Sequence, residues 1–164
     1  MRLKTSIFTI SIFFLAFNLT AQEKSKELVF RKKSLSLELA KRIALACQKK
    51  AEELGVSVGI VILDEAGNLK LAYLMDNQSI ISLEWAKAKA LSSFEFRQAT
   101  NKGEFRVWNI ADKTMVLGVS GGAPLIYRDT LVGAIGISGT KGKEDDIIAS
   151  AGIEEFNKIF SKSK

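Results

Sequence analysis

Apolar residues repeat every three to four positions in three stretches of the chain, which predicts three amphipathic helices. The helices are expected over about residues 36–54, over about 82–97, and from about residue 144 towards the end. Gly55 follows the first stretch and is typical of a helix end. Acidic residues at 144–146 favour the positive end of the last helix.

Short apolar runs between the helices predict β-strands. Residues 56–63 form a nearly continuous β-branched run, and the Asp-Glu-Ala-Gly-Asn sequence at 64–68 has turn chemistry before a second run at 69–75. This pattern predicts a hairpin. Three more short strands are expected near residues 115–120, 123–127 and 131–138, joined by tight turns.

The order of these elements predicts an α+β domain. Residues 99–114 lack a clear period, and we expect a short helix or an aromatic-bearing loop there. The complete order is therefore α-β-β-α-(α)-β-β-β-α. Since hairpin-length connections join neighbouring strands antiparallel, the strands should form one five-stranded antiparallel sheet with the helices packed on it.

The first residues have the pattern of a secretory signal peptide. A basic start with Arg2 and Lys4 precedes an apolar run, and this run ends in the small residue Ala21 before the charged stretch that follows. We expect cleavage after residue 21, a tether over 22–34 and a single domain over 35–164. The sequence thus predicts an exported protein, periplasmic or extracellular, without a membrane span after cleavage. The alternative is that the apolar run stays uncleaved as a membrane anchor.

Charge and composition exclude several classes of function. The formal net charge is +6, and removal of residues 1–21 leaves 22 basic against 18 acidic residues. This modest, scattered excess does not predict nucleic-acid binding. The chain has no histidine, which excludes histidine-dependent catalytic and metal sites. Cys47 is the only cysteine, so no disulfide forms within the chain, and we interpret it as a core residue.

Residues 121–139 are punctuated by glycine and predict a hairpin of two strands. Glycine inside a strand gives up packing, so Gly133 and Gly136 indicate that another group approaches the backbone closely. Two interpretations are open: contact with a ligand or second subunit, or close packing of a helix.

Several motifs resemble the GlcG/HbpS family. They are Gly121-Gly122-Ala123-Pro124, residues 132–139, and Asp145 with residues 148–152, preceded by residues 37–40, 58–64 with 67–69, and 75–76 with 86–90. The resemblance covers about residues 35–155. It implies a fold of the GlcG type, a haem or other tetrapyrrole as ligand, and assembly into homo-oligomers.

The resemblance and the predicted export favour an exported haem-binding protein, serving in haem sensing, storage or protection against oxidative stress. One alternative is an enzyme that degrades haem or acts on a small carboxylate such as glycolate. Another is a non-catalytic, oligomeric interaction protein. We favour a binding protein over an enzyme, and no catalytic residue is predicted.

The candidate iron ligands have to be something other than imidazole. Tyr127 ends a strand beside Arg128, whose charge would favour a phenolate, and Met75 could offer a thioether. The alternatives are an ordinary strand-end tyrosine and a core methionine.

The candidate ligand-binding residues lie at the glycine-rich turns: Gly121, Gly122, Pro124, Ser138, Gly139 and Thr140. The last three precede a helix N-terminus, where free amides favour the carboxylate of a propionate or small acid. Alternatively, the acidic residues at 144–146 satisfy that helix end themselves, and we interpret Asp145 as a helix-start residue rather than a general base.

Overall fold

The structure is a computed structural model that describes residues 32–110 and 113–161. Its helices are α1 (Leu37–Glu53), α2 (Ile80–Phe96) and α3 (Lys143–Ser161). Its strands are β1 (Gly59–Asp64), β2 (Leu69–Leu74), β3 (Arg106–Ile110), β4 (Lys113–Leu117), β5 (Gly122–Tyr127) and β6 (Thr130–Ser138). The predicted signal peptide and nearly all of the predicted tether lie outside the described residues.

Four of these strands form one antiparallel sheet in the order β2-β1-β6-β5. The central pair joins Gly59 with Ser138 at one end and Asp64 with Gly133 at the other. The α+β class and the antiparallel pairing are confirmed. The prediction of a single five-stranded sheet was wrong, because β3 and β4 form a separate two-stranded sheet.

The β3–β4 hairpin stays apart from the main sheet because the chain turns sharply between β4 and β5. Gly118 has φ +72°, and a Cβ there would overlap the backbone of Phe105, so the turn is confined to glycine. Met115 of β4 then packs with residues of α2 instead of extending the sheet. The predicted short helix within 99–114 was also wrong, since residues 106–110 form β3.

The sheet separates two hydrophobic layers, because successive side chains of a strand point to opposite faces. Ile60 and Ile62 of β1 pack with α1 and α3, whereas Val61 and Leu63 pack with α2. The fold is therefore a sheet with two helices on one face and one helix on the other.

Helix α2 lies unusually close to the sheet, which explains the glycines that face it. A Cβ at Gly136 would overlap the carbonyl oxygen of Ala86, and a Cβ at Gly59 would lie 3.0 Å from the backbone of Leu83. Close packing of a helix, one of the two interpretations of Gly136, therefore explains why this position is glycine. On the opposite face, a Cβ at Gly152 of α3 would lie 2.6 Å from Cys47 Sγ.

Candidate functional site

The structure places the candidate residues in two groups at opposite ends of the sheet. Ser138 pairs with Gly59 at one end of β6, and Tyr127 pairs with Thr130 at the other. Eight residue steps along β6 separate these ends, or about 26 Å at ~3.3 Å per residue. The glycine-rich turns and Tyr127 therefore do not form one site.

The first group borders an open cleft of about 430 Å³ between α2 and the turns that flank β5 and β6. We call it the lysine cleft. Its lining consists of Trp85, Lys89, residues 118–120, Ser138, Thr140, Gly142 and Asp145. Two of the predicted ligand-binding residues, Ser138 and Thr140, thus share a cavity of the size used for small ligands.

An ion pair between α2 and α3 lies in the wall of this cleft. Lys89 Nζ lies 2.8 Å from Asp145 Oδ2 and also donates a hydrogen bond to the carbonyl oxygen of Ile137, again at 2.8 Å. The two residues are only 5% and 2% exposed. The pair therefore joins a helix on one face of the sheet to a helix on the other.

Two acidic residues in the first turn of α3 accept hydrogen bonds from residues outside that helix. Asp145 Oδ1 accepts hydrogen bonds from the amide and the hydroxyl of Thr140, at 3.3 and 2.9 Å. Asp146 accepts one from the amide of Gly121 at 2.6 Å and another from Asn101 at 3.0 Å. Asp145 is thus a helix-start residue, as interpreted, but it is also the partner of Lys89.

Sequence reasoning did not single out Lys89. Its position in the sequence could have indicated that it is buried. Lys89 lies three residues after Ala86 and next to Ala90, within the buried face of α2. A lysine on an otherwise apolar helix face requires a buried partner or a cavity, and here both are present.

The space in which a side chain would lie at Gly122 and Gly139 is occupied by other atoms of the protein. Gly122 donates a hydrogen bond to Thr100 Oγ1 at 2.9 Å, and a Cβ there would lie 2.7 Å from the carbonyl oxygen of Lys89. A Cβ at Gly139 would lie 2.7 Å from the carbonyl oxygen of Ser57. Pro124 lies half-buried within β5. Pro124 pairs with Ala134 within the sheet, and none of Gly122, Gly139 and Pro124 lines the lysine cleft.

Tyr127 lines a separate, mainly apolar groove of about 250 Å³, which we call the tyrosine groove. Its other lining residues are Lys33, Ser34, Leu35, Leu39, Val132, Phe156 and Phe160. The rings of Tyr127 and Phe160 have centroids 4.3 Å apart. Two cations flank the tyrosine ring, with Lys33 Nζ at 5.3 Å and Arg128 Cζ at 5.2 Å from its centroid.

The candidate ligand Met75 and the core residue Cys47 both lie outside the tyrosine groove. Met75 is half-buried against the core on the α1–α3 face, and its amide donates to the carbonyl oxygen of Val58. Cys47 is fully buried, and desolvation raises the pKa of its thiol to about 12, against a smaller lowering by a hydrogen bond with Gly152. Residues 32–110 and 113–161 contain no group of three or more Cys, Asp or Glu arranged to hold a metal ion.

Comparison with known sequences identifies relatives over most of the chain. Residues 35–154 match the family model described as haem degrading protein HbpS-like. An uncharacterized 15.0 kDa protein encoded between dhaT and dhaS in Citrobacter freundii is 26% identical over 134 residues, 77% of this chain and 94% of that protein. The Escherichia coli K12 protein GlcG is 29% identical over 108 residues, 63% of this chain and 81% of GlcG.

Solved structures show the same fold. The haem complex of PduOC has a TM-score of 0.65 and 25% identity, over 74% of this chain and 94% of that one. HbpS has a TM-score of 0.66 and 24% identity, over 77% of this chain and 92% of its own. The corrinoid adenosyltransferase PduO of Citrobacter freundii is 29% identical, but the match spans only 39% of its length.

Proposed function

Since the chain belongs to the HbpS-like family, we propose that it is an exported haem-binding protein that holds the macrocycle at the tyrosine groove. The observation that carries this proposal is the position of Tyr127, which lies among apolar and aromatic side chains, with Lys33 Nζ 5.3 Å and Arg128 Cζ 5.2 Å from the centroid of its ring. The solved haem complex of PduOC, which shares this fold, supports a tetrapyrrole as the ligand.

The donor atoms of the chain leave Tyr127 as the best ligand for haem iron. Proteins hold haem iron through histidine, cysteine, methionine or tyrosine, and this chain has no histidine. Burial keeps the Cys47 thiol protonated, and Met75 packs against the core. Tyr127 is the candidate that lines a groove, and the neighbouring charge of Arg128 would stabilise an iron-bound phenolate.

The walls of the groove fit a flat, apolar ring with acidic side chains. Leu39, Val132 and Phe156 offer apolar surface, while Lys33 and Arg128 are placed to attract propionates. The volume of about 250 Å³ is below the ~300–1,000 Å³ typical of small-molecule pockets. The groove thus covers part of the macrocycle, and a second copy of the chain would cover more, which makes affinity depend on assembly.

A haemin titration of the purified protein tests this proposal. We expect saturable binding with a shifted Soret band, and we expect Tyr127→Phe to change the ferric spectrum towards that of water-ligated haem. Tyr73→Phe is the matched control, because Tyr73 is the chain's other tyrosine and hydrogen-bonds to Gln48 outside the groove. Identical spectra for wild type and Tyr127→Phe would eliminate Tyr127, and no saturable binding would end the haem proposal.

The same samples separate the alternative functions. Faster loss of the Soret band with reductant or peroxide than for free haemin would indicate the haem-degrading activity for which the family is named. Failure to bind haemin at all would favour the small-carboxylate or the interaction hypothesis.

Export is tested by the intact mass of the protein from the extracytoplasmic fraction. Cleavage after Ala21 predicts a chain that begins at or near Gln22. None of the helices in the described residues is long and apolar enough to cross a bilayer. Full-length chain recovered from the cytoplasm would contradict export.

A further inference from the structure

The lysine cleft lies apart from the tyrosine groove, about 26 Å away along β6. We infer that it binds a carboxylate, with Lys89 as the cation that contacts the ligand and Asp145 as the residue that positions Lys89. The carboxylate could belong to a free small acid or to a haem propionate.

The side chains that line the cleft offer more hydrogen-bond donors than the described residues use. The Lys89 ammonium has three protons, and two of them have acceptors among the described residues, Ile137 and Asp145. The third is left for a ligand. Ser120 and Ser138 also line the cleft, and their hydroxyls make no hydrogen bond within the described part of the chain.

Two acidic residues at the start of α3, Asp145 and Asp146, already accept hydrogen bonds from the protein. Both oxygens of Asp145 are occupied, one by Lys89 and the other by Thr140. Asp146 is likewise occupied by Gly121 and Asn101. An acceptor-rich ligand is therefore a better match for the cleft than a cation.

The pair is also better explained by a binding role than by stability alone. A buried ion pair often contributes no more to stability than apolar residues of the same volume, because both charges lose their hydration. A lysine held rigidly at the wall of an open cleft is instead preorganised to contact an anion, since it gives up little further freedom on binding. Trp85, 40% exposed, forms an apolar wall beside it.

Tryptophan fluorescence provides a direct measurement. The chain has two tryptophans, so a Trp108→Phe chain reports on Trp85 alone. We expect propionate to change this fluorescence saturably at millimolar concentration. Propionamide, a neutral molecule of the same shape, should bind at least about tenfold more weakly, because hydrogen bonds to charged groups are the stronger ones.

Variants of the cleft identify the contacts. Lys89→Met with Asp145→Asn removes both charges together and avoids leaving one of them buried alone. We expect this double variant to melt cooperatively and to lose at least about tenfold in propionate affinity. Ser138→Ala should fold normally and bind propionate more weakly than wild type.

Haemin and its dimethyl ester distinguish the sources of the carboxylate. Displacement of propionate by haemin but not by the ester would assign the site to haem propionates, and displacement by neither would assign it to free acids. Both results support the carboxylate site. The absence of saturable propionate binding, equal affinity for propionamide, or unchanged affinity in the folded double variant would each overturn it. Because Tyr127→Phe leaves this cleft intact, failure of the haem proposal would show separately.

Discussion

Gly136 shows how strongly one residue can depend on the spacing of a helix and a sheet. A side chain there meets the backbone of Ala86, which cannot move without moving α2. We therefore expect Gly136→Ala to lower the free energy of unfolding by about 3 kcal/mol or more, as severe overpacking does. Urea unfolding measures this change.

Gly55→Ala is the control for Gly136→Ala. Gly55 has φ +68° and nothing within 4 Å of a Cβ, so only backbone strain of about 1 kcal/mol is expected. Equal losses in the two variants would show that α2 does not constrain β6.

Burial of Cys47 is expected to lower the stability of the folded protein at alkaline pH. Its thiol has a pKa of about 12 in the folded protein against an ordinary value of 9.0. Above pH 9 the unfolded chain releases this proton and the folded chain keeps it, so stability falls as the pH rises. Between pH 7.5 and pH 10, wild type should lose about 1.4 kcal/mol more than Cys47→Ala.

The same burial predicts slow alkylation of Cys47 by iodoacetamide in native protein at pH 8 and rapid alkylation in urea, because the thiolate is the nucleophile. A reaction as fast in native protein as in urea would mean that the thiol is exposed.

For single residues, the burial of apolar side chains could be predicted from the sequence, whereas the polar residues of the lysine cleft could be predicted only in part. The burial of Cys47 and Ala86 follows from helical periodicity alone. The pairing of Lys89 with Asp145 does not, because it joins residues 56 positions apart through the meeting of two helices. The sequence indicates that Lys89 lies on a buried face of its helix. Its ion-pair partner depends on the tertiary structure and cannot be read from the sequence.

Among the elements, α1 and α2 offer a comparison of helix starts. Ser36 caps α1 by accepting a hydrogen bond from the amide of Leu39 at 3.2 Å, whereas Ser79 occupies the same position before α2 without such a bond. We expect Ser36→Ala to destabilise the protein by about 1 kcal/mol and Ser79→Ala by less. Thermal unfolding of the two variants checks this order, and a larger loss for Ser79→Ala would contradict it.

Element boundaries were predicted better than their pairing. The helix predicted over 36–54 is Leu37–Glu53, and the hairpin after it became β1 and β2. The error lay in residues 99–120, where alternating residues of β3 and β4 also fit a loop. Local pattern cannot specify which strand a given strand pairs with, since the Gly118 turn and the contact of Met115 with α2 decide it.

For the whole molecule, the Lys89–Asp145 pair links layers that the sheet otherwise separates. Lys89→Met leaves the Asp145 carboxylate buried without its partner, and we expect a loss of about 3–5 kcal/mol. Adding Asp145→Asn should recover most of that loss. Chemical denaturation of both variants measures the difference, and a double variant no more stable than the single one would show that the loss comes from packing.

The distribution of sites over the molecule was the part least accessible from sequence. The glycine-rich turns and Tyr127 are neighbours along the chain, and nothing in the sequence indicates that they lie far apart. A β-strand carries neighbours apart at about 3.3 Å per residue, and β5 and β6 place them at opposite ends of the sheet.

The outer strand β5 has a consequence for how copies of the protein can associate. The Thr100 amide donates to the carbonyl oxygen of Gly122, and Thr100 Oγ1 accepts from the Gly122 amide. The backbone groups of Gly122 on the outer side of β5 therefore already have partners. Pro124, two positions later, faces the same way and has no N–H to donate. A strand from another molecule therefore cannot pair continuously with the outer edge of β5, which protects this edge from amyloid-like extension.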